Sequence, residues 1–178
     1  MKINVIGTSG SGKSTVARAI AQRLALPYIE MDALFWQKDW GESSDQQLFA
    51  RLEQALQQPG WVLDGNYNRS QSIKWRDVDT IIWVDYSFTR TLYQAIKRAI
   101  TRCWHQQELW PGTNCRESFR KSFLSRDSII LWTLKTWRLN RRRYQALLCD
   151  SRFQHLHFVR LTSPQHSRQF IAGLTPAA

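Results

Sequence analysis

Cysteine, proline and glycine are all scarce in this 178-residue chain, with 3, 5 and 8 copies. Cys103, Cys115 and Cys149 are too few and too unevenly spaced for a disulfide framework, and no Cys-x-x-Cys pair occurs, so the thiols read as reduced. Low glycine and proline, with 43% hydrophobic and 22% charged residues, exclude collagen-like, disordered and low-complexity classes. No apolar run approaches the roughly 20 residues that a membrane helix needs. The first residues form a strand-like run, Lys2 to Ile6, in place of a signal peptide, so a cytoplasmic location is expected. No linker or repeat divides the sequence, and its length suits one domain over residues 1–178.

Acidic residues are also in deficit, 14 against 25 Lys and Arg, which leaves a formal charge of +11. The excess is local. Residues 1–96 carry ten basic and ten acidic side chains, residues 97–143 twelve against three, and residues 144–178 three against one. The middle segment must therefore either face something anionic, such as a polyphosphate or a nucleic acid, or bear its own self-repulsion.

Apolar runs alternate with helical spacing along the chain. Lys2 to Ile6 is a strand ending at Gly7. Thr15 to Leu26 has a helical apolar face stopped by Pro27, and Tyr28 to Met31 is a second strand. Asp45 is a suitable N-cap for a helix over 46–57, stopped by Pro59-Gly60. Trp61 to Asp64 and Thr80 to Asp85 are third and fourth strands, each closing on an aspartate. Ser87 caps a helix to about Cys103, Trp104 to Cys115 is an irregular insert, and a long helical segment runs from about Glu117 to Leu148. His155 to Leu161 is a fifth strand, and Ser163-Pro164 opens a last helix. Such alternation implies an α/β fold with a parallel sheet covered on both faces.

Between the first strand and first helix lies Gly7-Thr8-Ser9-Gly10-Ser11-Gly12-Lys13-Ser14, a full match to G-x-x-x-x-G-K-[ST] in the context this motif requires. Phosphate oxygens need several convergent donors, and Gly7, Gly10 and Gly12 let successive N–H groups, with those of Ser9 and Ser11 among them, aim into one nest at a helix N-terminus. Lys13 then reaches the β- and γ-phosphates, the Ser14 hydroxyl ligates Mg²⁺, and Thr15 touches the α-phosphate of a bound ATP. The metal's water shell needs a carboxylate from the end of a neighbouring strand. Asp64, followed by Gly65, is preferred over Asp85.

In order, this loop, Tyr28 to Asp32, Leu63-Asp64-Gly65, a fourth strand and an Arg-rich segment resemble the adenylate kinase-like P-loop kinases, which include shikimate kinase. More closely, Met31 to Trp36, Trp61 to Tyr67 and Ile82 to Asp85 look like the bacterial topology modulation (FlaR-type) proteins related to adenylate kinase. The resemblance implies a P-loop NTPase fold with a five-stranded parallel sheet in the order 2-3-1-4-5. It also implies an acceptor-binding region around 32–70 and a lid around 104–125. The sequence departs from adenylate kinase at the acceptor, because no arginine follows the second strand and Gly65-Asn66-Tyr67-Asn68 replaces Gly-Phe-Pro-Arg, with Arg69 one place beyond. These departures put AMP in doubt as acceptor. An acid after the second strand is similar to the shikimate kinase arrangement, in which Asp32 would orient and deprotonate an acceptor hydroxyl.

Arginines should converge on the transferred phosphoryl group, and Arg98 with Arg102, and Arg138 with Arg142, each lie four apart on a helix face. Arg141 and Arg143 point elsewhere. Arg160, with Thr162-Ser163-Pro164, follows the fifth strand where the resemblance implies contacts to adenine. Of nine tryptophans, Trp83, Trp132 and Trp137 read as core, whereas Trp36, Trp40 and Trp75 fall in the acceptor region, where a ring can stack. Cys103, His105 and Cys115 lack the fourth ligand of a structural zinc site, and His155 with His157 read as a solvated pair. The expected function is ATP- and Mg²⁺-dependent transfer of the γ-phosphoryl group to a small acceptor: a nucleoside, a nucleotide or a hydroxyl metabolite. The alternative is an ATP-binding, nucleic-acid-associated protein.

Overall fold

The computed structural model describes residues 1–119, 122–123 and 128–175. Five strands, β1 (Lys2–Gly7), β2 (Tyr28–Glu30), β3 (Trp61–Asp64), β4 (Thr80–Val84) and β5 (His157–Leu161), form one parallel sheet in the order β2-β3-β1-β4-β5. The expected order is the observed one. Both neighbours of β1 are reached by crossovers, which sets the C-terminal ends of β1, β3 and β4 side by side, where α/β sheets bind ligands.

Helices α1 (Lys13–Leu24), α2 (Met31–Phe35), α3 (Asp45–Ala55), α4 (Gln71–Lys74), α5 (Phe88–His105), α6 (Ile129–Leu148) and α7 (Pro164–Ala172) surround the sheet. Successive β1 side chains serve opposite layers. Ile3 and Val5 pack with Val16, Ile20 and Leu24 of α1. Ile6 joins Leu52, Leu63, Trp83 and Tyr144 of α6 on the other side. Between them Asn4 is fully buried and satisfied: its Nδ2 donates to Leu63 O at 3.0 Å, and Trp75 Nε1 donates to its Oδ1 at 2.9 Å.

Several boundaries differ from the sequence reading for local reasons. Met31 turns into α2 instead of closing β2. Ser44, not Asp45, caps α3, because its hydroxyl and the Gln47 side chain make a reciprocal capping box. The first helix ends at Leu24, with Ala25 in the left-handed region at φ 53°. The described part of the long helical segment is continuous only from Ile129 to Leu148, and residues 120, 121 and 124–127, which take in part of the expected lid, lie outside the described residues. The fifth strand starts at His157. Trp83 is buried, whereas Trp132 is exposed on α6 and Trp137 packs edge-on against Phe88. Trp75 is core, between Phe153 and Phe158. Among the described residues no helix is long and apolar enough to cross a membrane.

Candidate active site

The glycine-rich loop turns tightly from β1 into α1. Ser11 N donates to Thr8 O at 3.0 Å, and Gly12 caps α1 without any side-chain acceptor for the helix's first N–H groups. Those donors, with the positive end of the helix dipole, are what an anion needs. Gly10 sits at φ 83°, and a Cβ there would lie 2.7 Å from Ala95 Cβ and 2.9 Å from Thr91 O, so only glycine lets the loop lie this close to α5. Helices α5 and α6 hold the loop from outside: Arg98 donates to Ser9 Oγ at 3.2 Å, and Thr133 Oγ1 donates to Ser9 O at 3.3 Å. From the other side Asn66 clamps Gly7, accepting from its N–H at 3.0 Å and donating to its carbonyl at 2.6 Å. Buried Lys74 donates in turn to Asn66 O. Burial and nearby Arg143 push the Lys74 ammonium down to about 7.

Lys13, Ser14 and Ser9 line a cavity of about 510 Å³ together with Asp32, Arg98 and Arg102. Asp64, at the end of β3, lies beneath it. Its Oδ1 is 4.0 Å from Lys13 Nζ, and its Oδ2 accepts from the Tyr28 hydroxyl at 2.8 Å. Burial, then the charges of Asp64 and Glu30, raise the Tyr28 hydroxyl far above its ordinary value, so it stays a neutral donor. Among the described residues Asp64 Oδ1, which is buried, has no hydrogen-bond partner. Asp64 Oδ1, 4.0 Å from Lys13 Nζ, and the hydroxyl of Ser14, the next residue in the loop, are oxygen donors of the kind a hydrated Mg²⁺ takes. Asp85 is otherwise engaged: Arg160 donates to it from two nitrogens, and Arg141 Nε lies 3.3 Å away.

Asp32 lines the same cavity, where its Oδ1 accepts from the Tyr67 hydroxyl at 2.9 Å. Burial first, then the charge of Asp32, raises that hydroxyl as well. Glu30, Glu42, Glu117, Trp36, Trp40 and Trp110 complete much of the lining. Trp110 Nε1 donates to Glu30 Oε1 at 3.2 Å, and Arg102 pairs with Glu117 at 2.8 Å. The insert after α5 is latched onto the segment after α2. Asp39 N donates to Thr113 O at 2.7 Å, Asn114 Nδ2 to Asp39 Oδ1 at 2.6 Å, and Trp40 Nε1 to Arg116 O at 3.3 Å. Asp39 and Trp40 adopt φ of 56° and 65°, left-handed values that surrounding contacts must hold in place.

The structure thus gathers Ser9, Lys13, Ser14, Asp32, Arg98 and Arg102 around one cavity. Arg98 is buried enough that desolvation, then the neighbouring Arg102, lowers its affinity for a proton. Gly7, Gly10, Ser11 and Gly12 shape the loop, with Ser11 Oγ buried and without a hydrogen-bond partner among the described residues. Thr15 is exposed at the outer side of α1. Arg138 and Arg142 are exposed on α6 and do not line the cavity, and Arg160 lies over Trp83, 4.8 Å from its ring centre, while bonded to Asp85. Cys103 bonds Ser122, and Cys115 bonds the Gln37 carbonyl within the latch. Glu30, Glu117 and Trp110 were not singled out from the sequence. Only the apolar-acidic end of β2 hinted at Glu30; Trp110 and Glu117 join the site through pairings distant in sequence.

A shikimate kinase family model matches residues 9–58, the stretch holding the glycine-rich loop from Ser9 on, Asp32 and α3. A shikimate kinase from Paracidovorax citrulli is 49% identical over 41 residues, covering 23% of this chain and 22% of that protein's length. Among solved structures, a gluconokinase from Sinorhizobium meliloti superposes with a TM-score of 0.53 at 17% identity, covering 96% of this chain and 87% of the other. A sugar kinase from a Janibacter species gives 0.53 at 14% identity, covering 96% and 92%. At these identities the likeness establishes a shared fold.

Proposed function

We propose that this chain is a phosphotransferase that moves the γ-phosphoryl group of ATP to a hydroxyl of a small acceptor. The observation that carries this reading is the shared cavity, lined by Lys13 and Ser14 of the phosphate loop and by Asp32, an acid suited to a hydroxyl nucleophile. The α1 N-terminus and loop N–H groups bind the phosphates, and Lys13 offsets charge on the β- and γ-oxygens. Arg98 and Arg102 are set to neutralise charge on the transferred group. Mg²⁺, held by Ser14 and, through its water shell, by Asp64, supplies further charge neutralisation. Asp32 orients the acceptor hydroxyl and takes its proton, while Tyr67 fixes the carboxylate. Both the local match to shikimate kinase and the fold shared with sugar kinases support this reading. The finer likeness to adenylate kinase-related topology modulation proteins rests on Met31 to Trp36, Trp61 to Tyr67 and Ile82 to Asp85, and a single domain acting in the cytoplasm accords with it. Lys13→Ala should abolish ADP release over an acceptor panel and leave the far-ultraviolet circular dichroism unchanged; undiminished turnover would refute the phosphate site.

A nucleic-acid reading has its own observation: Arg138, Arg142 and Arg143 are exposed on α6, outside the cavity. In that reading ATP acts as a switch and α6 contacts the nucleic-acid backbone.

A further inference from the structure

Phosphoryl transfer does not require an aromatic wall, yet the cavity has one. Trp36 and Trp110 lie nearly parallel, 18° between planes and 6.4 Å between centres. Trp40 meets them edge-on at 5.3 and 6.1 Å. The charges around this wall are unbalanced. Glu30, Asp32, Glu42 and Glu117 line the cavity; Arg18 pairs with Glu30 and Arg102 with Glu117, and among the described residues Asp32 and Glu42 have no ion pair and Glu117 Oε2 is buried with no hydrogen-bond partner. Of the cations among the described lining residues, Lys13 lies 4.0 Å from Asp64, Arg102 is paired with Glu117, and Arg98, bonded to the Ser9 hydroxyl, is directed to the phosphate loop. A carboxylate or phosphate on the acceptor would meet like charge here, which is costly in a partly desolvated site. Ring faces combined with carboxylates are instead the chemistry that recognises an ammonium group.

Building on the phosphotransferase reading, we propose that the acceptor is a hydroxylated amine, an amino alcohol or amino sugar whose ammonium group seats against Trp36, Trp40 and Trp110 among these acids. Its hydroxyl then faces Asp32. The acceptor oxygen forms a bond to the γ-phosphorus as the bond from that phosphorus to the β–γ bridging oxygen breaks. The electron pair leaves with ADP, and the hydroxyl proton goes to Asp32. This selectivity is opposite to that for a hydroxy acid.

The test is calorimetric titration of the whole protein, without nucleotide, with matched sets: glucosamine, glucose and gluconate, then ethanolamine, ethylene glycol and glycolate. At least one amine should bind roughly tenfold more tightly than its neutral match, the scale of a desolvated cation–ring contact, with the acid weakest. Trp36→Leu and, at an exposed position, Glu42→Gln should each cut that advantage several-fold while ATP affinity is kept. An acid that binds as well as its amine, an advantage that survives both substitutions, or no saturable binding by any amine overturns the proposal. Turnover is scored separately on the same compounds as ADP release. Amines that bind without any being phosphorylated would sink the phosphotransferase reading and leave the amine site standing; phosphorylated acids would do the reverse.

Discussion

Asp32 and Asp64 are both aspartates held by the hydroxyl of a half-buried tyrosine, and each tyrosine fixes one oxygen while the other is left for chemistry. Asp32→Asn keeps size and the bond from Tyr67 but cannot take a proton. Its kcat should fall about 10²- to 10⁴-fold, the usual contribution of a positioned base, with ATP affinity little changed. Isothermal titration with ATP beside steady-state kinetics separates the two, and a weakened ATP affinity with kcat intact would move Asp32 to the metal. Lys74 yields a prediction about stability. Its folded value, about 7, lies below its ordinary 10.5, so between these pH values the unfolded chain holds a proton the folded chain has lost. Stability from this group therefore rises with pH across that window, by at most about 1.4 kcal/mol per pH unit. Urea melts of Lys74→Met should lose that slope; an unchanged slope would show that other groups supply it.

Elements are brought together here by contacts that lie far apart in sequence, and this is where sequence reading stopped short. Asp64 and Asp85 both follow apolar strands, and only the glycine after Asp64 distinguishes them locally. The difference is Arg160, 75 positions on, which reaches Asp85 from the neighbouring strand. Trp110 was legible only as part of an irregular insert, since its partners Trp36 and Trp40 are joined to it by the latch and not by any periodicity. By contrast, the phosphate loop and its flanking strand and helix were legible, because glycine geometry, helix-end donors and apolar patterning all agree over a few residues. Gly10 tests how tightly the loop and α5 are fitted. Gly10→Ala adds left-handed strain of order 1–3 kcal/mol and a clash with Ala95 and Thr91. It should lower the melting temperature and weaken ATP binding together; full ATP affinity would mean that α5 can yield.

For the whole molecule, charge distribution separates the two functional readings. If α6 grips a nucleic-acid backbone, the logarithm of the affinity should fall with the logarithm of salt at a slope near 0.9 for each phosphate contacted on duplex DNA. ATP held among the buried loop donors and Arg98 should show a far shallower dependence. Fluorescence titrations from low to high salt measure both, and absent DNA binding at low salt would retire the second reading. The sheet order and layering were legible from the alternation of apolar runs together with family resemblance. The exposure of Trp132 was not, since an aromatic on a helix carries no mark of which side faces its neighbours.

Through Asn66 one amide group grips both the donor and the acceptor of Gly7 while standing next to Tyr67, the support of Asp32. A displacement of the segment that greets the acceptor is thus passed to the first residue of the nucleotide cradle without any intervening helix. Seating one substrate would steady the seat of the other, and by thermodynamic reciprocity the favour is returned in equal measure. Asn66→Ala should uncouple that mutual tightening, leaving two binding events that ignore each other.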